Sequence, residues 1–296
     1  MLKTLRTILL LALLSVSTAS MGQSGLMRCE IGFNGGGMNY LGDLNDQSML
    51  GRLNWAGGAL FRYRFDDRWS LRIEADYGHI EAGNPRGING VNGDCLPHRN
   101  LSFLSHIIEG SARMEFNFRP FGNTTTQSHW TPYIFGGIGL FSFNPTALYT
   151  NSLTGEQSWV DLQPLGTEGQ GTELYPDRQP YQLIQLNMPF GLGFKFKPNP
   201  MLMFSIEYGF RKTWTDYLDD CSTTYVGDDL LNQYHYGGIA SSLADRSGEV
   251  DPGYHNAIGI KRGDDSLDDW YAYINASICF RLDKLFFWVG KKRCEK

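Results

Sequence analysis

The chain has 296 residues and a formal net charge of −5, with 42% apolar, 14% aromatic and 19% charged residues. That much aromatic and aliphatic material excludes disorder, and the mild acidity gives no electrostatic footprint for nucleic acid. Its 35 glycines, beside 18 Phe, 15 Tyr and 7 Trp, favour strands and turns over helices.

The N-terminus reads as a secretory signal, residues 1–22. Lys3 and Arg6 form a basic start, Ile8 to Val16 (ILLLALLSV) an apolar core, and small residues follow in STASMGQ. The core is too short for a spanning helix, which needs ~20 apolar residues. Cleavage is expected between Gly22 and Gln23, with Ala19 as the alternative site. Cys29 follows GLMR, which is no lipoprotein context. No other stretch is apolar enough to cross a bilayer as a helix.

The rest of the chain alternates. Segments 27–39 and 55–65 do so with glycine interruptions. In 70–77, Leu71, Ile73, Ala75 and Tyr77 oppose Ser70, Arg72, Glu74 and Asp76. In 108–119, Ile108, Ala112, Met114, Phe116 and Phe118 oppose Glu109, Arg113, Glu115, Asn117 and Arg119. Segment 130–143 (WTPYIFGGIGLFSF) is nearly all apolar or Gly and declares no face. Residues 184–197 set Ile184, Leu186, Met188, Phe190, Leu192, Phe194 and Phe196 against Gln185, Asn187, Lys195 and Lys197. Residues 202–211 and 270–282 complete the set, with Glu207 and Arg211 on the polar side of the former. Period-two alternation means strands with one apolar face, and about eight are long enough for the ~9–11 residues of a tilted transmembrane strand.

A soluble β-sandwich would also alternate. Two features favour a barrel in a membrane. The polar face carries both signs nearly in balance (Arg62, Arg64, Arg72, Glu74, Asp76, Glu109, Arg113, Glu115, Glu207 and Arg211), a set suited to filling a narrow lumen with paired charges. The apolar face carries Trp55, Trp69, Trp130, Trp214 and Trp270 near strand ends, as interfacial girdles require. The links alternate too: 66–69, 122–129 and 199–201 are short, whereas 40–54, 84–99, 150–183 and 215–267 are long. Short periplasmic turns and long extracellular loops are the habit of outer-membrane barrels. The expected architecture is all-β: an eight-stranded antiparallel outer-membrane β-barrel over 23–282, side-chain-filled, with both termini and a tail, 283–296, in the periplasm.

Three blocks carry a family resemblance. EIGFNGGGMNYLGDL (30–44), WTPYIFGGIGLFSFN (130–144), and MPFGLGFKFK (188–197) followed by EYGFRKTWTDYLDDCSTTYV (207–226) resemble PorG proteins, outer-membrane components of the type IX secretion system. Cys221 departs from that pattern. The resemblance implies a non-enzymatic role in cargo secretion, in association with the periplasmic ring of the PorK lipoprotein and PorN, and it implies no cofactor.

Five cysteines (Cys29, Cys95, Cys221, Cys279, Cys294) survive signal cleavage, so in an oxidising compartment at least one lacks an internal partner. Cys95 and Cys221, both on long loops, could pair. Cys29 should face lipid and Cys279 the lumen. Cys294, beside Lys291, Lys292 and Arg293, is the candidate for an intermolecular disulfide, with PorK as the partner the resemblance implies; an inert thiol on a frayed tail is the alternative. Phe286, Phe287 and Trp288 could touch the ring or anchor in outer-membrane lipid.

Asp219, Asp220, Asp228, Asp229, Asp264, Asp265, Asp268 and Asp269 lack the twelve-residue calcium-loop spacing, so a hydrated acidic loop is expected and no metal. His106, His235 and His255 could in principle join a rim hydrolase site, but no catalytic constellation accompanies them. A generic surface barrel that binds ligands through its long loops is the remaining alternative.

Overall fold

Alternation of apolar and polar side chains resolves into ten strands in the computed structural model, which describes residues 28–45, 52–83, 99–122, 128–234 and 238–285. The signal segment, its cleavage site, Cys95, His235, Phe286, Phe287, Trp288, Lys291, Lys292, Arg293 and Cys294 lie outside the described residues. The strands are β1 (Cys29–Leu41), β2 (Asn54–Arg64), β3 (Trp69–Gly83), β4 (Ser102–Asn117), β5 (Trp130–Ser142), β6 (Pro145–Thr150), β7 (Gln157–Asp161), β8 (Ile184–Phe196), β9 (Leu202–Thr213) and β10 (Trp270–Arg281). Eight of them, β1 to β5 and β8 to β10, pair antiparallel around a closed ring in which β10 returns to β1. The expected eight-stranded antiparallel barrel is the fold. β6 continues the line of β5 beyond an irregular step at Phe143 and Asn144, pairs with the far end of β4, and turns back through β7.

The turns at one end are short because local side chains close them. Asp66 Oδ1 accepts from the backbone N–H groups of Arg68 and Trp69 at 2.7 and 2.8 Å, and Asn199 Oδ1 accepts from Met201 and Leu202 at 2.9 Å each. Asx side chains of this kind substitute for backbone turn bonds. The described residues after β10 lie at the same end, where 282–285 form a helical turn and Asp283 pairs with Arg281 at 2.6 Å.

The outward face is apolar and bare: Phe33 is 64% exposed and Ile138 71%, with Ile73, Ile108, Leu192 and Ile206 alike. Trp69 and Trp130 ring the short-turn end, and Trp55, Trp214 and Trp270 the other. Charge inside and hydrocarbon outside is the reverse of a water-soluble protein, and bilayer hydrocarbon is the solvent that can cover such a face.

Two strands outrun their sequence limits. β3 and β4 reach Gly83 and Ser102, several residues beyond the 70–77 and 108–119 expected. Past the apolar belt the alternation inverts: Ile80, Ala82, Phe103 and Ile107 point inward and are buried, whereas His79, Glu81 and His106 point out. A pattern sought as polar-in, apolar-out loses the strand at that crossing. Segment 130–143 declared no face because apolar residues line both of its sides, with Tyr133, Phe135 and Phe141 inward and Trp130, Ile134, Ile138 and Leu140 outward. Cys279 faces the lumen as expected. Cys29, expected on the lipid face, is buried instead; it opens β1 opposite Tyr63 of β2, one residue before the β1–β10 register begins at Glu30.

Small inward residues let neighbouring strands coil tightly. A Cβ at Gly137 would strike the carbonyl oxygen of Ala112 on β4, whereas one at the outward Gly110 would meet nothing within 4 Å. Gly137→Val should therefore destabilise the barrel by about 1–3 kcal/mol, read as an earlier urea transition by tryptophan fluorescence. Gly110→Ala should stay within about 0.5 kcal/mol of wild type.

Candidate functional site

The barrel interior is one connected electrostatic network. Six cations (Arg62, Arg64, Arg72, Arg113, Lys195, Arg211) meet six anions (Glu30, Glu74, Asp76, Glu109, Glu115, Glu207). Glu115 is the hub. Its carboxylate takes Arg62 Nε at 2.8 Å, Lys195 Nζ at 2.6 Å, Arg72 Nε at 3.3 Å and the Ser70 hydroxyl at 2.9 Å. From Arg72 the chain of contacts runs to Glu74 and Glu207, from Glu74 to Arg113 at 2.7 Å, and through Glu109 to Arg211 at 3.2 Å. Tyrosines complete it: Tyr271 donates to Glu109 at 2.8 Å, Tyr133 donates to Glu207, and Tyr273 donates to Asn34 at 2.8 Å. The Phe135 ring is in cation–π range of two guanidinium groups, 5.2 Å from Arg72 and 5.6 Å from Arg113.

All ten lumen charges expected from sequence take part and are buried. Sequence reasoning missed Glu30, which opens a glycine-broken strand, and the role of Lys195, although strand parity already put that lysine inside. Above the charges the lumen becomes an apolar plug of Met38, Tyr40, Ile80, Phe103, Ile107, Phe141, Tyr271 and Tyr273. Charge below and close packing above fill the barrel with side chains along its length.

The long links build a cap on that plug. The segment after β7, the segment 214–269 with its helices α1 (Asp228–Tyr234) and α2 (Gly238–Ala244), and the ends of the other two loops share a core with Leu44, Leu101, Leu165, Leu218, Cys221 and Leu243. Arg262 ties them together. It reaches Glu168 at 3.1 Å, Asp220 Oδ2 at 3.4 Å and the carbonyl of Ala244 at 3.1 Å. Arg99 spans the carbonyls of Arg262 and Asp43 at 2.7 and 2.5 Å. Asp220 sits at φ 66°, a left-handed conformation that Asp tolerates better than most residues, and accepts from Thr167 and Tyr181 at 2.5 and 2.8 Å.

The hydrated acidic loop expected from sequence needs correcting here. Asp228, Asp229, Asp265 and Asp268 are exposed, but Asp219, Asp220 and Asp269 are buried. They are acceptors for loop backbone and tyrosine hydroxyls, a use that charge counting cannot distinguish from solvation. The Tyr40 hydroxyl lies 2.7 Å from Asp219 and 2.6 Å from Asp269. A phenol has one proton to donate, so one of the two acids must carry the second. Burial, with Asp43 nearby, raises Asp219 to about 7; burial raises Asp220 to about 6 against the pull of Arg262, and Asp216 to about 9. Burial also pushes the Cys221 thiol well up, so that thiol acts as a small apolar filler; it forms no disulfide among the described residues.

Of the candidate histidines, the two among the described residues, His106 and His255, are not brought together. His106 stacks on Tyr77 on the outer wall, with Nδ1 3.1 Å from its hydroxyl, and exposed His255 lies 4.0 Å from Asp228 on the cap. Among the described residues no group of three or more His, Cys, Asp or Glu is arranged to hold a metal ion.

Two predictions follow from this interior. Glu115→Ala leaves Arg62, Arg72 and Lys195 short of a buried counter-charge and should cost about 3–5 kcal/mol, measured by urea unfolding in micelles. Asp216, Asp219 and Asp220 have raised values when folded, so at these carboxyls the folded cap binds protons that the unfolded cap releases. Its stability should fall as pH rises from about 4, the ordinary carboxylate value, through about 7, where Asp219 ionises. Limited proteolysis within 214–269 should be ~5–10-fold faster at the alkaline end of that range, and Asp219→Asn should flatten the dependence.

Comparison with known proteins gives a family. The chain is similar to Neisserial surface protein A, at 12% identity over 86% of this chain and 96% of that one, with a TM-score of 0.36. It is similar to the outer membrane protein OprG from Pseudomonas aeruginosa, at 13% identity over 86% and 94%, TM-score 0.38. For Ail, the attachment invasion locus protein of Yersinia pestis, identity is 9% over 85% and 95%, TM-score 0.33. No curated protein matches the sequence. Residues 3–162, just over half of the chain, match the family model described as domain of unknown function DUF6089, and the chain belongs to that family.

Proposed function

We propose that this protein is a non-enzymatic outer-membrane component of the type IX secretion system, a PorG-type barrel that holds the periplasmic PorK and PorN ring to the membrane and is needed for cargo secretion. The observation that carries this reading is the filled lumen. With six cations paired to six anions and an aromatic plug above them, the barrel has no passage to offer a solute, and a membrane body without a passage suits anchoring. The three PorG-like blocks support the choice of system. They fall on β1, on β5, and on β8 and β9 with the following cap segment up to Val226, so the resemblance involves both wall and cap.

In this reading the short turns and both termini face the periplasm, and the cap faces outward. The tail, with Phe286, Phe287, Trp288, Lys291, Lys292, Arg293 and Cys294, then extends from β10 toward the ring. A second reading, a surface barrel that binds through its loops, is favoured by one observation: the loops fold into a single cap held by Arg262, a shaped surface that an anchor alone would not need.

The test compares reducing and non-reducing gels of outer membranes whose thiols are blocked before lysis, for wild type and Cys294→Ser. A larger band containing a ring lipoprotein, absent in the variant, is expected. Monomer in both lanes removes the covalent link. Cargo secretion by a chain lacking 283–296, set against chains trimmed within 150–183 or 215–267, then separates anchor from surface binder. Loss with the tail supports the first, and loss only with the loops supports the second. In planar bilayers the wild type should give no steady conductance; open-channel currents would overturn the filled-lumen argument.

A further inference from the structure

β7 ends the sheet, and one of its edges is open. Leu162 N–H donates to Pro145 and Asn151 N–H to Glu156, each at 2.9 Å, and Ala147 and Tyr149 stand opposite Val160 and Ser158. Bonded pairs alternate along an antiparallel ladder, so Ser158 and Val160 bond to β6. Gln157, Trp159 and Asp161 direct their N–H and C=O groups the other way, where no described strand pairs with them. An unprotected row of backbone donors and acceptors is a template for another strand.

The surroundings define what would fit. Trp159 is 59% exposed. Beside the edge runs a groove of about 330 Å³ lined by Trp159, Val160, Asp161, Pro164, Leu165 and Ile239. Carboxylates stand at both ends of the strand, Glu156 and Asp161; Asp161 Oδ1 accepts from Asn144 Nδ2 at 3.0 Å, and no described cation forms a salt bridge with either. We propose that β7 is a strand-addition site for an extended polypeptide segment of a partner, with apolar side chains at alternate positions and basic residues at its ends. Backbone bonds along Gln157–Asp161 supply the pairing, the groove receives an alternate side chain, and the two carboxylates select basic ends. A second copy in the same membrane is poorly placed for this. Antiparallel edge pairing relates two strands by a two-fold axis normal to the sheet, which would turn one barrel upside down. The site stands independently of any role in secretion.

The experiment uses the full mature chain in detergent micelles and a fluorescent peptide with lysine at each end and alternating valine and threonine between. Saturable binding by anisotropy is expected. Methylating alternate peptide nitrogens should weaken it ~10-fold or more, because each lost backbone bond costs on the order of 1 kcal/mol, and glutamate ends should weaken it as well. Trp159→Pro removes an outward N–H that the β6 ladder does not use and should give a similar loss, with folding checked by unheated gel mobility. Absence of saturable binding, or equal binding of methylated and unmethylated peptides to wild type, would overturn the proposal whatever the variant does. Dimerisation of the wild type that Trp159→Pro abolishes would assign the edge to a second copy and overturn it too.

Discussion

Glu115 and the three cations around it set the conditions for the rest of this molecule. A barrel whose outer wall is hydrocarbon must turn its polar residues inward, and eight strands enclose a space only wide enough for side chains. Charges placed there cannot be solvated by bulk water, so each needs a partner at contact distance. The network answers that requirement with equal numbers of each sign, spread over strands from β1 to β9. Because one carboxylate binds groups from β2, β3 and β8, those strands are held in register by interactions that cross the lumen as well as by their ladders.

The same logic changes at the top of the barrel. Where the outer face leaves the hydrocarbon belt and meets water, the interior no longer has to take the polar side chains, and the inward positions of β3 and β4 turn from charged to mostly apolar with no change of parity. The plug of Phe103, Ile107 and Phe141 is the result, and the cap is built on it. Arg262, Glu168 and Asp220 repeat the lumen's solution in the cap, with buried charges paired across loops far apart in sequence. The acids around Tyr40 go further, since their geometry demands a shared proton instead of a cation. A cap held partly by protonated carboxyls loses stability as rising pH ionises them.

Much of the wall was legible in the chain because a strand's period of two is local. Arg72, Glu74 and Asp76 alternate with Leu71, Ile73 and Ala75, and no other part of the molecule is needed to read which side is which. Lys195 could be placed inside by parity alone. The failures lie where locality fails. Segment 130–143 hides its face because Phe135 is held inside by Arg72 and Arg113, which lie on other strands. Asp219, Asp220 and Asp269 looked like solvated loop charges because their partners, Tyr40, Thr167 and Tyr181, come from distant segments. The open edge of β7 had no signal at all, since five residues reading QSWVD reveal neither their neighbours nor the lack of one.

By itself, then, the sequence determined the class of this protein: strands long enough to span, an apolar outer face, a charge-lined inner face, and short links alternating with long ones. Tertiary structure alone decided which charges pair, that the loops fold into one cap, which acids are buried and which strand edge stays open. The division follows from range: side-chain direction along a strand is fixed by the residue before and after, but pairing and burial depend on contacts between residues tens to hundreds of positions apart.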